Sequence, residues 1–278
     1  MEMQGCAARY KGVQEVSHMP DAKTFVANAP AWVDLSSQDA AASREFYSKL
    51  FGWKVELTTD PKAGGYALAK LGGKDVAGIG PAQDANSPSA WMIYIGTRDT
   101  DALAKKIEAA GGKVVAPPFD VLDSGRMAVF QDPTGAYISA WQPKDMFGAE
   151  VIGKAGAYGW AELNARGIDK AKAFYEKVFG WTEKVSPMGE GQGDYTEFKH
   201  DGESIAGAME MNPMVPKEVP SYWQVYFMAD DIDKTHKKAL DLGATEMLPP
   251  QEFPGGRFSI LSDPQGAAFG LLSMPQGR

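Results

Sequence analysis

Residues 46–53 read FYSKLFGW and residues 174–181 read FYEKVFGW, 174 − 46 = 128 positions later. The same offset carries Trp32 to Trp160 and Leu35 to Leu163. Farther along, the offset drifts by a few residues, as short loop insertions would make it. Tyr94 answers Tyr226, Pro117-Pro118 answers Pro249-Pro250, and Gly125-Arg126 answers Gly256-Arg257. Asp132-Pro133 answers Asp263-Pro264, and Gly135-Ala136 answers Gly266-Ala267. So many matches in one order mean that the chain is a tandem duplication of a unit of roughly 120 residues, joined around 148–156.

Each unit has a legible order of elements. Val33 and Leu35 alternate with Trp32, Asp34 and Ser36, the period of a half-buried strand. A helix follows, opened by Ser37 or Asp39 and closed by Gly52, with Ala42, Phe46, Tyr47 and Leu50 on one face. Short strands come next at 53–57, 66–71 and 76–79, separated by Pro61 and glycine pairs. A second strand at 91–95 leads into a helix from about Asp101 to Ala110. The strand after Gly112 is weakly marked. Strands near 126–130 and 136–141, joined by the Asp132-Pro133-Thr134-Gly135 turn, close the unit. The order is β-α-β-β-β, taken twice per unit and four times along the chain.

Composition narrows the function. With 28 basic and 36 acidic side chains the net charge is −8, and no run of Lys or Arg makes a basic face, which argues against nucleic-acid binding. Cys6 is the single cysteine, so no internal disulfide or cysteine-based metal site can form. No apolar run approaches the ~20 residues needed to span a bilayer, and no secretory stretch is present. The expectation is a cytoplasmic protein with no membrane partner. Residues 1–29 carry mixed charge and no periodicity and are read as a disordered leader.

The strand, the helix ending in Phe-Tyr-x-x-x-Phe-Gly-Trp, and the closing Asp-Pro-x-Gly turn resemble the glyoxalase/bleomycin resistance/dioxygenase superfamily, the vicinal oxygen chelate proteins. The tandem arrangement is similar to the actinobacterial 27-kDa-antigen-type glyoxalase-like proteins. The resemblance implies an α+β chain of two glyoxalase-like domains, at 30–147 and 156–275. In each, paired β-α-β-β-β modules would curl a mixed sheet into a cup with helices outside. It also implies a divalent metal held by inward strand positions, which fall at Trp32, Gly78, Met92 and Ser139, and at Trp160, Gly207, Gln224 and Gly270. Of these only Gln224 offers a donor suited to a metal, and one neutral amide does not hold a divalent ion. Of the three histidines, His18 lies in the leader, His200 in a turn and His236 on a helix among lysines; all are read as solvated. The expectation is therefore no metal and no cofactor.

Alternation assigns the cup faces. In the first unit they are Trp32, Asp34, Met92, Tyr94, Tyr137, Ser139 and Trp141; in the second, Trp160, Glu162, Gln224, Tyr226, Ala268, Gly270 and Leu272. Aromatic walls with one carboxylate suit a flat or cationic small molecule. The tryptophans either line such a cup or fill it, and the small residues of the second unit make that cup the emptier. Asp34 and Glu162 are the candidate general bases, or else they accept structural hydrogen bonds. Arg126 and Arg257 either bind an anionic ligand or form ion pairs. Three function classes follow: a metal-independent small-molecule binder like the bleomycin-resistance branch, a glyoxalase-type lyase or ring-cleaving dioxygenase with an atypical metal site, or a non-catalytic surface or interaction protein, with the binder favoured. The chain would act as a monomer, its domains forming a pseudo-dimer, or as a homodimer.

Overall fold

Alternating apolar residues set the first strand, β1 (Pro30–Ser37), in the computed structural model, which describes residues 25–189 and 193–275. The leader reading therefore lies largely outside the described residues, as do Cys6 and His18. After β1 comes α1 (Ala40–Phe51), capped by the Asp39 carboxylate on the Ala42 amide at 3.0 Å and ended by Gly52 at φ +74°. Its buried face is Ser43, Phe46, Tyr47 and Leu50, the i, i+3, i+4, i+7 stripe of an amphipathic helix. The unit continues through β2 (Lys54–Leu57), β3 (Ala67–Leu71), β4 (Lys74–Pro81), β5 (Ala90–Gly96), α2 (Thr100–Ala109), β6 (Lys113–Val121), β7 (Gly125–Gln131) and β8 (Tyr137–Pro143). Unit two repeats this as β9 (Tyr158–Ala165), α3 (Ile168–Phe179), β10 (Thr182–Gly189), β11 (Gly193–His200), β12 (Glu203–Glu210), β13 (Tyr222–Met228), α4 (Ile232–Asp241), β14 (Thr245–Phe253), β15 (Gly256–Ser262) and β16 (Ala268–Ser273).

The weakly marked strand after Gly112 is a full element, β6. Pro117-Pro118 hide it in the sequence, and the structure tolerates them because β6 is an edge strand whose register slips twice against β7. Strand order is β2-β3-β4-β1-β5-β8-β7-β6 in unit one, and unit two repeats it. The two modules of each unit meet at an antiparallel β1–β5 or β9–β13 pair. Each module closes with a parallel pair, β1–β4 and β5–β8, bridged by its helix. Each cup is thus built within one unit.

The helix-bearing faces of the two sheets share one core. Val33, Leu35, Ile93 and Ile138 of unit one belong to the same buried cluster as Leu163, Val225, Phe227 and Phe269 of unit two. Ring pairs cross the seam, Phe51 to Phe227 at 5.1 Å and Trp91 to Phe227 at 4.9 Å. Polar groups in the seam are matched reciprocally. Tyr47 donates to Asp263 Oδ2 at 3.0 Å and accepts from Trp91 Nε1 at 2.9 Å. Tyr175 donates to Asp132 Oδ2 at 3.0 Å and accepts from Trp223 Nε1 at 2.9 Å. The other oxygen of each aspartate caps its own turn, on the amides of Thr134 and Ala136 or of Gln265 and Ala267. The two motifs that define the repeat therefore hold each other across the units.

One sequence expectation fails here. His236 is not a solvated helix residue but is 5% exposed, with Nδ1 3.0 Å from Ser259 Oγ and Nε2 2.8 Å from Glu246 Oε2. Lys237 pairs with Asp241 at the surface and Lys238 donates to the Leu50 carbonyl of α1 at 3.0 Å, while the histidine faces β15, as helical periodicity allows. The repeat places apolar Ala104, Val114 and Ala128 at the corresponding points of unit one. Arg126 and Arg257 each form an ion pair. Arg126 bonds Asp101 at 2.9 Å and Arg257 bonds Asp233 at 2.5 Å, each on the first turn of the helix behind the sheet.

Candidate ligand-binding hollow

On the concave face of unit one the register brings the expected side chains together. Asp34 pairs with Gly78 on one side and Met92 on the other, while Trp32 pairs with Tyr94, which in turn pairs with Ser139. The buried aromatics are Trp32, Tyr94 and Trp141, backed by Leu68, Met92, Val121, Met127 and Met146. These walls border a hollow of about 1920 Å³, mouth included, that runs along the 145–152 connection towards the β11–β12 turn. Phe119 and Phe147 stand at its rim, 45% and 62% exposed. Of the expected residues, Tyr137 shares this face but is 44% exposed at the far end of β8. Arg126 and Arg257 lie outside both cups.

The polar centre of the hollow is one network. Trp32 Nε1 donates to Tyr66 Oη at 3.1 Å. Tyr66 and Tyr94 both donate to Asp34 Oδ2, at 3.3 and 2.9 Å. Burial pushes the Asp34 carboxyl up from 3.8 to about 6, against the two hydroxyls that favour its charged form. Burial, with the negative charge of Asp34 second, raises both tyrosines well above their ordinary value, so they remain donors. Unit two repeats the motif: Trp160 Nε1 to Tyr195 Oη at 2.9 Å, and Tyr226 Oη to Glu162 Oε1 at 3.3 Å. Burial raises the Glu162 carboxyl too.

The sequence reading missed Tyr66 and Tyr195, although the repeat offset, 195 − 66 = 129, matches them. It also expected the second cup to be the emptier. There the Tyr226 ring lies across Gly270 so closely that a β-carbon at 270 would overlap it. Trp160, Gln224 and Tyr226 are 8%, 3% and 4% exposed, and Gln224 Nε2 spends a hydrogen bond on the Val225 carbonyl. The small residues of unit two make room for a protein ring.

A divalent metal does not fit either set of implied positions. In unit one these hold an indole, a glycine, a thioether and a hydroxyl. The Tyr66 hydroxyl occupies the space that a side chain at Gly78 would need, and Tyr195 does the same at Gly207. Among the described residues no three His, Cys, Asp or Glu side chains gather closely enough to hold a metal ion. None of the described helices is long and apolar enough to cross a membrane.

Comparison with known proteins agrees with the duplicated architecture. Residues 29–139 and 157–271 each match the family model described as Glyoxalase/Bleomycin resistance protein/Dioxygenase superfamily. The chain is 40% identical over 269 residues to anthracycline biosynthesis protein DnrV of Streptomyces peucetius, covering 91% of this chain and 96% of that protein. It is 39% identical over 259 residues to putative glyoxylase CFP32 of Mycobacterium bovis, covering 91% and 98%. Among solved structures, the Mn(II)-bound glyoxalase of Novosphingobium aromaticivorans superposes with a TM-score of 0.62 at 19% identity, covering 89% of this chain and 82% of that one. The 2,3-dioxygenase LapB of Pseudomonas gives 0.62 at 15% identity, covering 88% and 91%. At these identities the structural matches establish the fold alone.

Proposed function

The chain belongs to the glyoxalase/bleomycin resistance/dioxygenase superfamily, and from that premise we propose that it binds a small aromatic or amphipathic molecule in the unit-one hollow without a metal ion. One observation carries this reading. Around the positions where the family's metal would sit, of which Trp32 and Met92 are two, unit one presents a concave apolar wall that also includes Trp141, with a single desolvated carboxylate, Asp34, beside it. Such walls with few convergent polar groups are what small-molecule sites offer. Thioethers beside aromatic rings adapt to flat ligands, because sulfur is polarisable and the Met side chain rotates freely. Relatives named for anthracycline biosynthesis support a role in handling small organic molecules.

A relative named a putative glyoxylase favours the second reading, a lyase. That chemistry draws on metal stabilisation of a developing oxyanion, and replacing it with hydrogen bonds alone forfeits several kcal/mol of barrier lowering. The experiment that separates the readings is elemental analysis of purified protein, with a hemithioacetal-isomerisation assay in added Ni, Zn and Mn. Binding without a metal predicts no stoichiometric metal, no turnover and saturable quenching of tryptophan emission by an aromatic probe. One equivalent of metal with turnover would overturn it.

A further inference from the structure

The Asp34 carboxylate is only half used. Both tyrosine hydroxyls converge on Oδ2. Among the described residues Oδ1 has no hydrogen-bond partner, yet Asp34 borders the hollow, so this oxygen is open to whatever enters. Among the described residues no cationic side chain offsets its charge. A second unmatched group stands across Tyr94. Ser139 is 1% exposed and borders the same hollow; its Oγ lies near the Tyr94 hydroxyl but meets no group of the described residues in good hydrogen-bond geometry. A buried polar group left unpaired costs about 1–3 kcal/mol, so the Ser139 Oγ points to a partner from outside the chain, while Asp34 Oδ1 is an open acceptor on the same hollow. Unit two lacks the second of these groups, because the Ser139 position is Gly270, while Asn164 and Tyr226 both donate to Glu162 Oε1.

We propose that the unit-one hollow selects flat apolar molecules bearing a neutral hydroxyl group, which donates to Asp34 Oδ1 and accepts from Ser139 Oγ. The inference rests on reading the hollow as a ligand site and adds the chemistry that the ligand must carry. A ligand with acceptors only would set lone pairs against an ionised carboxylate, and an anion would add like charge in a desolvated place. An ammonium brings three donors to a site with one free carboxylate oxygen and thioether walls, and would lose hydration it cannot recover. A hydroxyl supplies one donor and one acceptor, which is the count left open.

Titration calorimetry of the full chain at pH 7.5 with 2-naphthol, 2-methoxynaphthalene, naphthalene and 2-(aminomethyl)naphthalene tests this. The naphthol is expected to bind about tenfold or more tighter than its methyl ether, since a site built to pair a hydroxyl rejects the analogue lacking it. Asp34→Asn should bring that ratio near one without weakening the ether. Ser139→Ala should weaken both oxygen-bearing probes and leave naphthalene unchanged. Equal wild-type affinity for naphthol and ether overturns hydroxyl recognition while leaving an apolar hollow in place. Tightest binding of the amine, lost in Asp34→Asn, overturns it in favour of a cation site. No binding of any probe overturns the hollow as a ligand site as well. The comparison among probes uses the unaltered protein and needs no variant to fold.

Discussion

Replacing Asp34 by Asn should make the protein more stable at neutral pH. The carboxyl rises from an ordinary 3.8 to about 6 because its burial outweighs the two tyrosine hydrogen bonds. At ~1.4 kcal/mol per tenfold change in proton affinity, the ionised form is less at home in the fold than in the unfolded chain by ~3 kcal/mol. The direction follows from proton counting. Between 3.8 and about 6 the folded protein holds a proton that the unfolded chain has released. Stability from this group is therefore complete below 3.8 and is lost as the pH rises through about 6. Asparagine keeps an oxygen for Tyr66 and Tyr94 and carries no charge. Because Asp34 retains access to the hollow, the full figure is a ceiling, and ~1–2 kcal/mol is the expected gain at pH 7.5. That corresponds to a rise of a few °C in Tm, at roughly 2–4 °C per kcal/mol for chains near this size. Thermal melts of both proteins from pH 3 to 8 should show curves that meet below 3.8, separate between 3.8 and about 6, and stay apart by a constant margin above that. A variant that melts lower at pH 7.5, or a difference that ignores pH, would refute the reasoning. A stabilising substitution at this position would also mean that the charge is kept for what enters the hollow.

The other predictions concern the seam, the network and the buried histidine. Tyr47→Phe should cost about 1.5–3 kcal/mol in urea unfolding, because Asp263 loses a buried donor and Trp91 its acceptor. Tyr175→Phe should cost a similar amount, and a loss confined to one of the two would contradict the reciprocal seam. Gly78→Ala should displace Tyr66, since the added β-carbon overlaps its hydroxyl, and lower stability by roughly 1–3 kcal/mol. Altered Trp32 emission would report the broken indole bond, and an unchanged spectrum with an unchanged Tm would count against the network. His236→Ala should destabilise by about 1–3 kcal/mol by stranding Ser259, which is fully buried. Adding Ser259→Ala should recover part of that loss, because unit one folds with Ala104 and Ala128 in those places. A simple sum of the two losses in unfolding measurements would show that the pair is not coupled.

Much of the site was legible because strand alternation is a strict rule. Once β1 was placed, Trp32 and Asp34 had to share a face opposite Val33 and Leu35, and the structure puts them there. Tyr66 escaped because its contribution depends on where a ring swings after the Gly64-Gly65 turn. That ring crosses to a glycine on the next strand. The state of the second cup escaped for a related reason. Gly270 in a sequence reads as empty space, whereas in the fold that space is where Tyr226 lies. His236 was misread because its helix neighbours are charged, and only the packing of α4 on β15 shows which way each turns.

The sequence by itself determined the duplication, the order of elements and the inward residues of the first strand, which follow from local periodicity and from matches along the chain, and its motifs carried the family resemblance. Tertiary structure alone decided that the Tyr47 and Tyr175 motifs grip the Asp263 and Asp132 turns of the opposite unit, that a hollow runs along the concave face of unit one, and that the buried Ser139 Oγ lies beside it without a well-placed partner. Those outcomes depend on which side chains reach a given space first, and a competition for volume leaves no trace in spacing.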